Sequence, residues 1–303
     1  MSNLSTSAIT TIHGAGVGLR RGMLPMLGPL QDTDVDFMEV APENWIGVGG
    51  RFGRHFRALT ERFNFVCHGL SLSIGSPAPL DVAFVQQIKQ FLDTHDIKYF
   101  SEHLSYCSDD KGHLYDLMPI PFTPEAVSYV AKRINQVQDI LERPLAIENV
   151  SFYAAPGQEM SEIEFVNAVL QEADCTLLLD VNNIYVNSIN FRYDPYEFLH
   201  ALDLSRAAYI HVAGHYEEAD DLRVDTHGSD VIDPVWDLLA EAYRCTGPLP
   251  TLLERDFNFP PLDELLGEVA HIRRLQEANS IHLVSEANKS PGHAQVADGQ
   301  QRI

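Results

Sequence analysis

The chain has 303 residues, 45% of them hydrophobic, which is enough for one large core. Its 43 acidic residues against 21 Lys and Arg give a formal charge of -22, a field that repels nucleic acid and anionic membrane surfaces. Cys67, Cys107, Cys175 and Cys245 form no CxxC pair and are too sparse for a disulfide scaffold, with Cys67 and Cys175 inside strand-like runs as buried thiols. No signal segment opens the chain and no stretch approaches the ~20 apolar residues of a membrane span, so a cytoplasmic protein is expected.

Residues 1–12 are polar and expected to be flexible. Residues 14–19, GAGVGL, read as a first strand, because a GxGxxG phosphate loop needs a preceding strand and a following helix. A second strand, 36–40, carries Glu39 near its exit, with Glu43 and Asn44 in the loop beyond. A helix over 52–63 leads to a third strand, 64–68, and a helical face over 80–95 leads to a fourth, 97–102. The exit loop that follows, SEHLSYCSDDKGHLYDLMPIPFTP, is long enough to cover a site. Thr123 and Pro124 open a helix that continues to about Leu141. The fifth strand is 145–149, a helix begins near Met160, and the sixth strand is 176–180. A polar loop, a short helix over 195–202, a seventh strand over 208–213 and a charged loop over 214–232 come next. A helix over 234–243, an eighth strand over 251–254 and a helix from about Pro261 to about Ala278 complete a single domain spanning 13–279. Residues 280–303 are expected to form a polar, disordered tail.

Continuous apolar runs, such as CTLLLDVNN, suit parallel strands buried on both faces. Eight of them alternating with helices predict an α/β fold, a (β/α)8 TIM barrel with its site at the strand C-termini. A doubly wound open sheet, the alternative, would place ligands at a crevice instead of converging many strand ends on one centre.

His68, His103, Glu148, Asp180, His211 and Glu254 all fall at or just past such strand ends. Imidazole supplies a neutral nitrogen, and carboxylate supplies charge and can bridge two cations. One divalent ion rarely needs so many donors, so the set predicts two or more metals, with iron, manganese or zinc favoured over a thiolate site. Asn182 follows Asp180 by two residues; it shares a face with Asp180 if the strand persists, and reaches a neighbouring ion if the chain turns. Asp225 and His227 stand two apart beside a glycine and can clamp a further ion from a loop. The spacing of His211 and His215 is HxxxH, but Gly214 lies between them, so the helical zinc-protease logic does not apply. His215, Glu39 and Asn44 are the candidate catalytic or substrate-facing groups, while Glu102 should point away from the side occupied by His103. Arg20, Arg21 and Arg255 read as surface salt-bridge residues or as anion contacts. No GxSxG elbow is present.

The blocks DFMEVAPENW, CHGLSLSIG, SEHLSY, LAIENVSFY, LLLDVNNIYVNS, YIHVAGH, VDTHGS and LLERDFNFP, in this order over roughly residues 13–275, resemble the DUF692 or UPF0276 family of multinuclear non-heme iron-dependent oxidative enzymes. The resemblance implies a xylose isomerase-like barrel with two or three iron ions, mixed-valence when active. Zinc, manganese or magnesium are possible substitutes. It implies O2-dependent modification of cysteine residues in a ribosomally synthesised precursor peptide, often with a separate peptide-recognition protein. It places His68, His103, Glu148 and Glu254 around a first iron, Asp180 and His211 at a second bridged by Glu148 and Glu254, and Asn182, Asp225 and His227 at a third. A divalent-metal sugar isomerase, a metal-dependent hydrolase and a non-catalytic metal-binding protein are the other readings.

Overall fold

The computed structural model describes residues 12–287. Among the described residues, twelve strands, numbered in chain order, include eight parallel ones that close into a barrel: β1 (Ala15–Gly18), β2 (Phe37–Val40), β3 (Asn64–Gly69), β4 (Phe100–His103), β7 (Leu145–Glu148), β8 (Thr176–Asp180), β9 (Ala207–Ala213) and β12 (Thr251–Glu254). The other four pair as antiparallel hairpins: β5 (Ser105–Ser108) with β6 (His113–Pro119), and β10 (Tyr216–Ala219) with β11 (Leu222–Val224). The helices are α1 (Gly50–Thr60), α2 (Val82–Thr94), α3 (Pro124–Leu141), α4 (Glu162–Ala173), α5 (Val181–Phe191), α6 (Pro195–Ala201), α7 (Asp233–Thr246) and α8 (Leu262–Ala287). This is the predicted (β/α)8 barrel.

Alternation along the strands sorts the side chains. Phe65 and Cys67, Leu145 and Ile147, and Leu177 and Leu179 join the core that also contains the helix faces. Phe37, Val66, Ala146, Leu178, Tyr209 and Leu252 form a second cluster inside the barrel. Two residues beyond each of these, on the same inner face, stand Glu39, His68, Glu148, Asp180, His211 and Glu254. A strand period of two therefore delivers the polar groups in one layer above an apolar plug. The glycines of β1 serve the same interior, since a Cβ on Gly16 would lie 2.7 Å from the Phe37 ring.

Local signals set the helix starts. Thr123 accepts from the Ala126 amide at 3.2 Å with Pro124 in the first turn of α3, and Ser161 and Glu164 form a capping box at α4.

Four expectations are corrected. The stretch after Asp180 is a helix, α5, not a loop, because Asp180 Oδ1 caps it by accepting from the Asn183 amide at 2.6 Å. The exit loops after β4 and β9 carry the two hairpins. Helix α8 continues unbroken to Ala287, past the start of the expected tail; residues 288–303 of that tail lie outside the described residues. Ile12 is buried in the barrel plug, whereas the rest of the expected flexible segment, residues 1–11, lies outside the described residues.

Candidate metal centre

Parallel register aligns the donors across neighbouring strands: His103 pairs with Glu148, and Asp180 with His211. The first group is His68, His103 and Glu148. Glu148 Oε2 lies 3.0 Å from His68 Nε2 and 3.4 Å from His103 Nε2, and the two ring nitrogens are 3.0 Å apart. Their other nitrogens are held from behind: His68 Nδ1 by Ser101 Oγ at 2.7 Å, and His103 Nδ1 by the Gly69 carbonyl at 3.0 Å. Burial pushes the His103 imidazole down, but the charges of Glu148 and Glu102 outweigh it and raise its pKa to about 9. Burial pushes the Glu148 carboxyl up, but His103 and His68 bring it to about 2.

Three further groups interlock with the first: Glu148, Asp180 and His211; Asp180, His227 and Glu254; and Glu39, His211 and Glu254. His211 Nδ1 is 3.1 Å from Glu254 Oε2 and 4.0 Å from Asp180 Oδ2, while its Nε2 is 2.9 Å from Glu39 Oε2. His227 Nδ1 lies 3.4 Å from Glu254 Oε2, and its Nε2 lies 2.7 Å from Asp225 Oδ1. Glu148, Asp180, His211 and Glu254 each belong to two groups. Glu254 groups with Glu39 and His211, and with Asp180 and His227.

The loops and α5 hold these side chains in place. Asn182 donates to Asp225 Oδ1 at 2.9 Å, and its Oδ1 is 2.8 Å from His215 Nδ1. Burial, followed by the Arg223 charge, lowers the His215 pKa. Ser151 donates to Asp225 Oδ2 at 3.0 Å. Asn183 donates to Glu148 Oε1 at 3.1 Å, and Asp256 Oδ2 is 3.3 Å from His227 Nδ1. Arg20 spans Glu254 and Asp256 at 2.9 and 2.7 Å, so it is a site residue, not a surface one. Arg255 is buried against Asp230 and Glu268 instead, and Arg21 donates to the Asn44 carbonyl. Glu102 turns toward the loop after β3, accepting from the Leu72 amide at 3.1 Å, although its Oε1 stays 3.3 Å from His103 Nδ1. Burial and the charge of Glu102 raise the pKa of Glu43 to about 7; Glu43 Oε1 accepts from the Leu70 amide at 2.8 Å.

A cavity of about 560 Å³ opens over the donors. Asn44 and Arg20 line it, and the β5–β6 hairpin adds Cys107, His113 and Leu117 to its wall, so the long loop does cover the site. His215 does not line the cavity but supports Asn182. Sequence reasoning missed Asn183, Ser151, Ser101, Tyr209 and Asp256. Two of these had an available signal, since Ser101 and Tyr209 stand two residues before His103 and His211 on the same strand faces.

Glu148 Oε2, Asp180 Oδ2, His211 Nδ1 and His227 Nε2 are all buried without an aligned hydrogen bond, although other donor atoms lie as close as 2.7 Å to them. Buried polar atoms ordinarily find partners. Lone pairs that crowd together without bonding one another are the arrangement a shared cation requires. Asp180 points the same way: burial and the charges of Glu148 and Asp225 push its pKa well above the usual carboxylate range, and a cation would relieve that repulsion. The residues present therefore fit a multinuclear metal site. One more group, His200, Glu241 and Cys245, sits on α6 and α7 and does not line the cavity.

A (β/α)8 barrel with interlocked imidazole and carboxylate groups at its mouth defines a metalloenzyme class. The chain belongs to the family of the RiPP precursor modification enzymes MbnB/TglH/ChrH, whose model matches residues 14–277. It is 67% identical over 261 residues to a UPF0276 protein of Shewanella loihica, covering 86% of this chain and 94% of the relative. A UPF0276 protein of Alcanivorax borkumensis is 59% identical over 278 residues, covering 88% and 93%. Among solved structures, the fold is similar to 3-keto-D-glucoside 4-epimerase from E. coli (TM-score 0.59, 14% identity, 86% of this chain and 99% of the other). It is also similar to endonuclease IV from Thermus thermophilus (TM-score 0.54, 15% identity, 89% and 99%). These structural likenesses establish the barrel alone. The family makes this chain an enzyme that modifies ribosomally synthesised peptide precursors.

Proposed function

We propose that the centre holds two or three iron ions and that the enzyme uses O2 to oxidise cysteine residues of its precursor peptide. The observation that carries this reading is the sharing of Glu148, Asp180, His211 and Glu254 between adjacent donor groups, in a chain matched over residues 14–277 by a peptide-modifying family. When bound, such a cluster supplies a redox-active Lewis acid that lowers the pKa of a cysteine thiol and accepts electrons from it.

His68, His103 and Glu148 would hold one ion, Asp180, His211 and Glu254 a second, and Asp225 and His227, with Asn182 beside them, a third. The chain's own part is positioning. Arg20 and Asp256 fix Glu254 and His227, and the β5–β6 hairpin forms one wall of the cavity. Asn44 and Arg20 face the cavity where peptide polar groups would lie. A separate recognition protein would present the peptide, and the four free cysteines suit a reducing cytoplasm.

The test is metal quantification and EPR spectroscopy of protein purified without oxygen or chelator, followed by incubation with cysteine-bearing peptide. Two or three irons per chain, a coupled mixed-valence signal and O2 uptake matched to a peptide mass change are expected. Tightly bound zinc or magnesium alone, with sugar turnover and no O2 uptake, would replace this reading with an isomerase.

A further inference from the structure

Beneath the donor layer, a continuous line of hydrogen bonds crosses the barrel. His68 Nδ1 is 2.7 Å from Ser101 Oγ, and Ser101 Oγ is 2.7 Å from Tyr209 OH. Tyr209 OH donates to Glu39 Oε2 at 3.1 Å, and that same oxygen is 2.9 Å from His211 Nε2. No member is more than 4% exposed. They come from β2, β3, β4 and β9, so no local turn or cap accounts for the line.

The line has one polarity. As a carboxylate, Glu39 only accepts, so Tyr209 and the His211 Nε2–H both donate to it. The Tyr209 oxygen then accepts from Ser101, whose other acceptor, the Cys67 carbonyl, is 3.4 Å away. Ser101 in turn accepts from His68 Nδ1–H. His68 therefore carries its proton on Nδ1 and offers the Nε2 lone pair to the group it shares with His103 and Glu148. His211 carries its proton on Nε2 and offers Nδ1 to Glu254 and Asp180. His68 Nε2 faces Glu148 and His211 Nδ1 faces Glu254, while His211 Nε2 meets Glu39.

We propose that Ser101, Tyr209 and Glu39 form a buried strap that fixes His68 and His211 in opposite tautomers and couples the metal affinities of the two groups they serve. The strap rests on the reading of the mouth as a metal centre, but not on which metal or oxidant it uses. The key residue is Tyr209, whose hydroxyl bonds neither imidazole yet links both. Without it, Ser101 turns to the Cys67 carbonyl and Glu39 loses one of the donors that orient it. Tyr209 is a positioning residue, as Glu39 is through Oε2. Glu39 Oε1 is buried without a partner, and Glu39 lines the cavity.

The experiment is Co2+ titration of the chelator-stripped full chain by calorimetry and visible absorption. Tyr209→Phe is expected to weaken two binding phases by roughly tenfold or more each, the range measured for outer supports of metal-bound histidines. Tyr243→Phe is the control: Tyr243 is as buried and bonds Thr251 outside the strap, so its loss lowers stability and leaves Co2+ affinity unchanged. Nitrogen and proton NMR of Zn2+-loaded, 15N-histidine protein should show the proton on Nδ1 of His68 and on Nε2 of His211, and Tyr209→Phe should shift both N–H resonances as their hydrogen bonds to Ser101 and Glu39 change. If the parent chain binds no Co2+, the metal reading of the mouth fails. If it binds Co2+ but Tyr209→Phe is unchanged, weakens one phase only, or weakens no more than Tyr243→Phe, the strap is overturned. Should Tyr209→Phe not fold, Ser101→Ala decides on the His68 side by the same two readouts: weaker binding with a shifted His68 Nδ1–H resonance supports the strap, and parent-like values overturn it.

Discussion

Glu148 Oε2 sits 3.0 Å from His68 Nε2, yet no aligned hydrogen bond reaches that oxygen. The pair faces a common point and does not bond across it. Because Glu148 also groups with Asp180 and His211, its loss should empty more than one position. Glu148→Gln is expected to bind fewer metals per chain than His227→Ala, which removes a donor from one group. Each should weaken binding by more than roughly 100-fold, the upper range for outer-support residues. Metal content by mass spectrometry of anaerobically purified variants checks the order, and equal losses would show that Glu148 is not shared.

How far the sequence revealed this arrangement depended on polarity. β8 and β12 were readable to the residue, because apolar runs bounded by a turn residue leave little choice of strand end. Helix α5 was not readable, because Asn182, Asn183 and Asn187 lie on its buried side. Hydrophobic periodicity fails where buried positions carry amides, and these amides are needed for the site: Asn183 holds Glu148, and Asn187 bonds Val150 and Phe152. The donor layer was visible as strand-end residues. The partners of Glu39 were not, since Tyr209 and His211 are joined to it only by barrel closure.

Glu162 makes a stability prediction away from the donors. Burial, only partly offset by a hydrogen bond from Asn187, raises its carboxyl to about 8, against about 4.3 in an unfolded chain. A raised carboxyl binds its proton more tightly in the folded state. Its contribution is therefore full below the unfolded value and is lost progressively as pH rises to about 8. Urea denaturation at pH 5 and pH 8 should show Glu162→Gln gaining stability over the parent at pH 8 and little at pH 5. A constant difference between the two pH values would contradict the raised carboxyl.

Gly214 joins β9 to the loop that carries Asp225 and His227. A Cβ there would lie 2.1 Å from the Ser229 carbonyl oxygen and 2.5 Å from that of Asp230, both backbone atoms that cannot rotate away. Ser229 also donates to the His215 carbonyl at 2.7 Å, so displacing it moves the support of Asn182. Gly214→Ala should cost about 1–3 kcal/mol, the usual penalty of overpacking. It should also weaken metal binding at the Asp225–His227 position first. Denaturation and Co2+ titration of the same sample separate the two effects, and unchanged affinity would mean that the loop absorbs the shift without moving its donors.

Metal removal should be visible as a change in folding stability. Stripped of cations, the mouth holds Asp180 against Glu148 and Asp225 with unpartnered oxygens, and any ion that binds the folded chain alone relieves this. At a thousandfold excess over its dissociation constant, one ion adds about 4 kcal/mol. Since about 1 kcal/mol moves the melting temperature of a domain this large by roughly 2–4 °C, the shift should approach ten degrees. Mn2+ or Fe2+ added anaerobically to chelated protein should raise the melting temperature by that order. His200→Ala should leave the rise intact, because the His200, Glu241 and Cys245 group stands on the outer helices α6 and α7. Glu148→Gln should reduce it. A rise lost in His200→Ala and kept in Glu148→Gln would assign the metal to the helices, while no rise in the parent would mean that the crowded donors at the barrel mouth bind no ion.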